Sequence, residues 1–164
     1  MYEVDDKDKV IELFDFPEME TGAPLPIVLS DDYRTFLSYS LDFNWGATGA
    51  GAEPEKIAIV EFNGCRSFMF GMPNDEALEG HPLFYRGVQH YGFYEVKESS
   101  WIKNLEKTNS VHDRHNRVAF FANLHHFIIT FHDTTFECVA RDYEITTHEK
   151  PFDPIDEMRR RLKR

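Results

Sequence analysis

Residues 125–145 read HHFIITFHDTTFECVARDYEI, and their alternation decides the fold class. Successive side chains leave a strand on opposite sides, so a period of two marks a strand with one buried face. The runs 125–132 and 135–145 flank Asp133-Thr134, which reads as a two-residue hairpin loop. In that register Phe131 faces Phe136, Ile129 faces Cys138 and Phe127 faces Ala140. This face is apolar and belongs in a core. The opposite face sets His126, Ile128, Thr130 and His132 against Arg141, Val139, Glu137 and Thr135. Asp-Thr suits a tight turn less well than Asn-Gly, which tolerates positive φ at both central positions.

A second hairpin is predicted upstream, where IAIVEF (57–62) and CRSFMF (65–70) flank Asn63-Gly64. A type I′ turn there places Phe62 opposite Cys65, Glu61 opposite Arg66, Ile59 opposite Phe68 and Ile57 opposite Phe70. Further upstream, PIVLS (26–30) and YRTFLSYSLDF (33–43) read as two strands joined through Ser30-Asp31-Asp32, the second half-buried by its alternation. Residues 22–26 (GAPLP) form a connector, and 46–55 (GATGAGAEPE) a flexible loop. A short helix is expected from Lys9 to Phe14, ended by Pro17.

Later helices carry clearer signals. Ser99 or Ser100 can cap a helix beginning at Trp101, and another is expected within 113–123. Asp153 is an N-cap candidate, and Pro154 occupies the first helical position, where a missing N–H costs nothing. The expected class is therefore α+β: antiparallel sheet built from hairpins, with two to four helices including a C-terminal one. We expect a single domain over 1–164, with an acidic segment at 1–20 and a basic C-terminal helix at 153–164.

The chain has 164 residues, 29 acidic and 18 basic, for a net charge of −11. The terminal RRRLKR (159–164) holds five of those basic residues, so everything before it is more acidic still. Such a body repels a phosphate backbone, whose affinity for proteins comes mostly from Lys and Arg. Nucleic acid and anionic membranes are thus not expected as partners, whereas a basic protein is favoured by long-range attraction. The 15 Phe, 7 Tyr and 2 Trp exclude an acidic disordered chain. The opening MYEVDDKDKV lacks the basic start and apolar stretch of a secretory signal. Together with only two cysteines, this points to free thiols and a cytoplasmic location.

Several residues are candidates for chemistry. In the hairpin register above, His125 lies opposite Asp142, and His132 is diagonal to Glu137. A carboxylate can fix a histidine tautomer and raise its basicity, so these four are the catalytic candidates; a hydrogen-bonded pair at a sheet margin has the same pattern. His112 and His115 are three apart and would share a helix face, which makes them the metal candidates; a catalytic zinc site needs a third protein ligand. Tyr85, Arg86, His90, Tyr91, Tyr94 and Trp101 form the densest aromatic stretch and the candidate binding patch. Gly46, Gly49 and Gly51 lack the following helix that a phosphate cradle requires. Cys138 falls on the core face, where a thiol is a small hydrophobe.

Together these features favour a small, acidic, non-catalytic interaction protein that binds a basic partner in the manner of an inhibitor or immunity protein, with no cofactor. The alternatives are a His/carboxylate enzyme or metal-dependent site, and a small-molecule binder with an aromatic pocket.

Overall fold

The apolar faces read from 33–43 and 125–131 meet across the interior of two antiparallel sheets, whereas the strand over 57–62 turns Ala58, Val60 and Phe62 inward rather than Ile57 and Ile59, and Phe68 and Phe70 remain partly exposed. The structure is a computed structural model describing residues 2–43 and 54–163. Its strands are β1 (Lys9–Glu12), β2 (Ile27–Ser30), β3 (Arg34–Ser40), β4 (Lys56–Asn63), β5 (Ser67–Gly71), β6 (Phe93–Lys97), β7 (His125–Thr130), β8 (Thr135–Ala140) and β9 (Asp142–Glu149). One sheet has the order β1-β6-β7-β8-β5, the other β2-β3-β4-β9. The helices are α1 (Ser100–Asn109), α2 (Arg117–Phe121) and α3 (Pro154–Leu162), with 3-10 turns at Asp75–Gly80 and Phe84–Arg86. The class is α+β.

The core lies between the sheets. Leu37, Tyr39, Val60 and Phe62 meet Phe93, Phe127, Ile129, Phe131 and Phe136. Phe62 reaches Phe136 at 5.3 Å and Phe127 at 5.8 Å, while Tyr39 contacts Phe131 at 5.7 Å and Phe93 at 5.8 Å. These tilted ring pairs explain the aromatic-rich composition: each buried ring removes a large apolar area from water and gains further from edge-on geometry. Truncating one such ring to alanine costs about 3–5 kcal/mol.

Both outer faces are also covered. Met158 of α3 packs on Phe36 and Ile59. The cap foreseen for α3 forms, Asp153 accepting from the Ile155 N–H at 2.9 Å. Arg161 pairs with Glu157 (2.9 Å) and Glu61 (3.8 Å), tying the basic helix to β4. On the other sheet, Leu78, Leu83 and Val88 cover Tyr94, Val96 and Ile128, while Trp101 and Ile102 cover Val139. Ser99 caps α1 by accepting from the Ile102 N–H at 3.2 Å.

Four expectations are corrected. Asn63-Gly64 is not a hairpin turn: β4 pairs with β3 and β9, and β5 pairs with β8 in the other sheet. The sequence IAIVEF is apolar on both faces, so it is a central strand with both edges taken. Gly64 still adopts φ of +60°, now to carry the chain from one sheet to the other, and Glu61 meets Arg34 at 3.6 Å in place of Arg66.

The β7–β8 loop is longer than expected. Phe131 N–H bonds to the Thr134 carbonyl at 2.8 Å, closing four residues, and the register moves by two to His125↔Ala140, Phe127↔Cys138 and Ile129↔Phe136. An even shift keeps every side chain on its expected face. Phe127, Ile129 and Phe131 are accordingly buried.

Lys9–Glu12 is a strand rather than a helix, because it pairs along β6; tertiary pairing overrides a weak local preference. Finally, β3 is buried on both faces from Thr35 to Tyr39, since α3 covers the side expected to meet water. The glycines of 46–51 lie outside the described residues. No helix among the described residues is long and apolar enough to cross a membrane.

Candidate functional site

Adjacent residues of β7, His125 and His126, each engage a carboxylate, in different surroundings. His126 lies on the outer face under the N-terminal segment and α1. Its Nε2 bonds to Glu137 Oε2 at 3.0 Å, and its Nδ1 meets Ser99 Oγ at 2.9 Å. His81 bonds through Nε2 to Glu137 Oε1 at 3.2 Å. The Tyr2 hydroxyl donates to Glu137 Oε2 at 2.8 Å, and the Tyr2 ring stacks on Trp101 at 5.2 Å. Glu137 is only 4% exposed. A buried carboxylate with no partner would be prohibitive; here it has three donors.

The tautomers follow from the hydrogen bonds. His81 Nδ1 accepts from the Leu83 N–H at 3.1 Å, so its proton sits on Nε2 and is donated to Glu137. His126 Nε2 faces the Glu137 carboxylate, which only accepts, so Nε2 carries the proton and in the neutral ring Nδ1 accepts from the Ser99 hydroxyl. Burial acts to raise the pKa of Glu137, but the hydrogen bonds from His126 and His81 outweigh it and lower the value to about 2. Burial and the neighbouring Glu137 charge push the Tyr2 phenol well above its usual range, so it remains a donor. Two histidines and one carboxylate resemble a metal set, but these Nε2 atoms carry protons and present no lone pair. No cluster able to hold a metal occurs among the described residues. The arrangement pins the N-terminus to the sheet.

This network replaces the expected His132–Glu137 pair. His132 instead lies in the four-residue loop, with Nδ1 2.9 Å from Asp133 and Nε2 3.8 Å from Asp75; Asp133 and Asp75 raise its pKa. Tyr2 and His81 were not legible as partners, since they lie 135 and 56 residues from Glu137.

The expected His125–Asp142 pair is likewise corrected. The two-residue register shift puts Ala140 opposite His125, while Asp142 opens β9 opposite Asn63 in the other sheet. His125 nevertheless has a carboxylate: its Nδ1 is 2.6 Å from Glu95 Oε1 on the neighbouring strand β6. Burial acts to raise the Glu95 pKa, and hydrogen bonds from Lys97 and His125 overcome it to lower the value. The His125 ring stacks on Phe127 at 5.8 Å, its side chain is 37% exposed, and its Nε2 has no hydrogen bond among the described residues. It lines a groove of about 420 Å³ with Lys7, Lys97, Lys103, Arg117 and Phe121.

The opposite end of the β1–β6 pair carries a second groove, of about 470 Å³. Leu13, Phe16, Met19 and Phe93 supply its apolar lining, and Glu12, Glu18 and Asp42 its charge. None of the described residues lining it is basic. Phe14, at its wall, is 85% exposed, an unusual position for so large an apolar side chain.

The remaining candidates are dispersed. His112 and His115 occupy the turn between α1 and α2, not one helix face. His115 bonds to Glu106 at 2.8 Å and to Asn109 at 3.0 Å, whereas His112 Nδ1 accepts from the Arg114 N–H at 3.1 Å. The aromatic stretch divides: Tyr94 and Trp101 are buried, Tyr91 donates to Asp75 at 2.7 Å, and His90 contacts the Asp75 carbonyl at 3.0 Å. Arg86 donates to the Asp5 and Asp8 carbonyls, and Tyr85 is exposed beside Glu79. Cys138 is buried and its thiol pKa is pushed well up by that burial.

Compared with protein-family models, curated proteins and solved structures, the chain matches none.

Proposed function

We propose that this chain is a non-catalytic, cytoplasmic interaction protein that receives a basic segment of a partner protein in the groove of Glu12, Glu18 and Asp42. The observation that carries this reading is the pairing of an apolar floor with charged lining residues that are all acidic, and the exposed ring of Phe14. An arginine- or lysine-bearing segment with interspersed apolar residues fits that chemistry: its charges meet the rim while its apolar side chains cover Phe14. The net charge of −11 adds long-range attraction, which speeds encounter more than it tightens the complex. Two free cysteines suit a reducing compartment.

The test is binding of a peptide of alternating arginine and leucine, measured by calorimetry at low salt. Replacing Glu12, Glu18 and Asp42 together by lysine is expected to abolish binding. Replacing Asp32, Asp113 and Glu149, exposed elsewhere, changes the net charge equally and should weaken it only modestly. Equal losses from the two triple variants would reduce the effect to bulk charge and overturn the reading.

A further inference from the structure

An acidic protein has little reason to gather cations at one place, yet the groove beside His125 is lined by Lys7, Lys97, Lys103 and Arg117 against Glu95 and Glu98, the latter met by Lys9 at 3.3 Å. Most of this charge is already used. Lys97 contacts Glu95, and Lys103 pairs with Asp5 at 2.9 Å. Lys7 lies close enough to Asp5 to help hold that carboxyl low. Arg117 is different. Its guanidinium lies over the Phe121 ring, 5.7 Å from the centroid, and it has no carboxylate partner among the described residues. A guanidinium placed on a ring face keeps its N–H fork open for an oxyanion.

The rest of the groove is shaped for something other than an inorganic ion. Ile102, Phe121 and Leu124 form an apolar wall, and Val96 continues it. At about 420 Å³ the space suits a small organic molecule. His125 stands at the edge of the groove and reports on what enters it. Glu95 engages Nδ1 at 2.6 Å, which fixes the ring and leaves Nε2 as the ring atom without a partner.

We propose that this groove binds a small organic anion, a carboxylate or phosphate monoester carried on an apolar body. Arg117 holds the oxyanion, and Phe121, Leu124 and Ile102 cover the apolar body beside the His125 ring. The site is separate from the acidic groove and does not depend on the function proposed for it.

Three probes of equal chain length test the assignment: octanoate, octyl phosphate and the neutral octanol, each titrated into the full chain while the His125 ring resonances are followed by NMR. At least one anion should shift those resonances saturably, and octanol should not. The stronger of the two anions identifies the head group. Arg117→Gln removes a side chain with no ion pair to lose, so the fold should be retained; it should weaken anion binding at least tenfold. Glu12→Gln, in the other groove, should leave it unchanged. Saturation by octanol as tight as by the anions, or anion binding indifferent to Arg117→Gln, would overturn the proposal, as would no response to either anion.

Discussion

His125 and His126 are consecutive residues on one strand, and each bonds to a glutamate. His126 shares Glu137 with His81 and Tyr2 in a network where every acceptor is met and every ring nitrogen engaged. His125 shares Glu95 with Lys97 but keeps Nε2 open toward a groove. Alternation along the strand separates them, one under the N-terminal segment and the other at the open end of the sandwich. The same residue types thus serve cohesion on one face and remain available for recognition on the other. What distinguishes the two is burial together with hydrogen-bond satisfaction, not the presence of a His–carboxylate pair.

The buried network is most sensitive at Glu137. His126→Ala leaves the buried carboxylate short of a donor and is expected to destabilise the fold by about 3–5 kcal/mol in urea unfolding. The pH dependence follows from the same group. Glu137 has a folded pKa of about 2 against an ordinary 4.5. A depressed carboxyl pKa adds stability that is present above the ordinary value and is lost as pH falls from there toward 2. Glu137→Gln should be less stable at neutral pH and show a weaker acid dependence below pH 4.5. An acid profile identical to the wild type would show that Glu137 is not the group that titrates.

A smaller effect is expected at Tyr2. Tyr2→Phe keeps the ring on Trp101 but removes one hydrogen bond to a charged group, a loss of about 1.5–3 kcal/mol. Hydrogen exchange at the N-terminal segment should rise in that variant more than exchange in β4. A uniform rise would mean that Tyr2 supports the whole fold and not its own segment.

These effects depend on contacts that local sequence could not announce. The cap at Asp153, and for α1 a cap at Ser99 or Ser100, are readable because a cap is made within three residues, and the structure selects Ser99. The inward face of β7 was readable because alternation survives an even register shift. Asn63-Gly64 misled because a positive φ at Gly64 fixes the turn but not the strand that follows it. Glu137 could be singled out from its own strand, but not its partners Tyr2 and His81, which the fold brings from 135 and 56 residues upstream. For His125 the ring was identified and the carboxylate was not: the loop gained two residues, and the acid came from β6.

The smallest stability effect is expected at Glu95, whose partners Lys97 and His125 are 46% and 37% exposed and so screened by solvent. Glu95→Gln should alter stability by less than about 1 kcal/mol, yet it should displace the His125 ring resonances, because Nδ1 loses its charged partner. A loss as large as that at His126 would erase the distinction between the two histidines.

The proposed function itself rests on the groove at Glu12, Glu18 and Asp42, and chemical-shift mapping with the arginine–leucine peptide interrogates it directly. Saturable shifts are expected to concentrate at residues 12–19, Asp42 and 91–93, with Phe14 moving strongly and the His125 groove silent. Shifts scattered evenly over the acidic surface, or centred on the cation-lined groove, would contradict the proposed function.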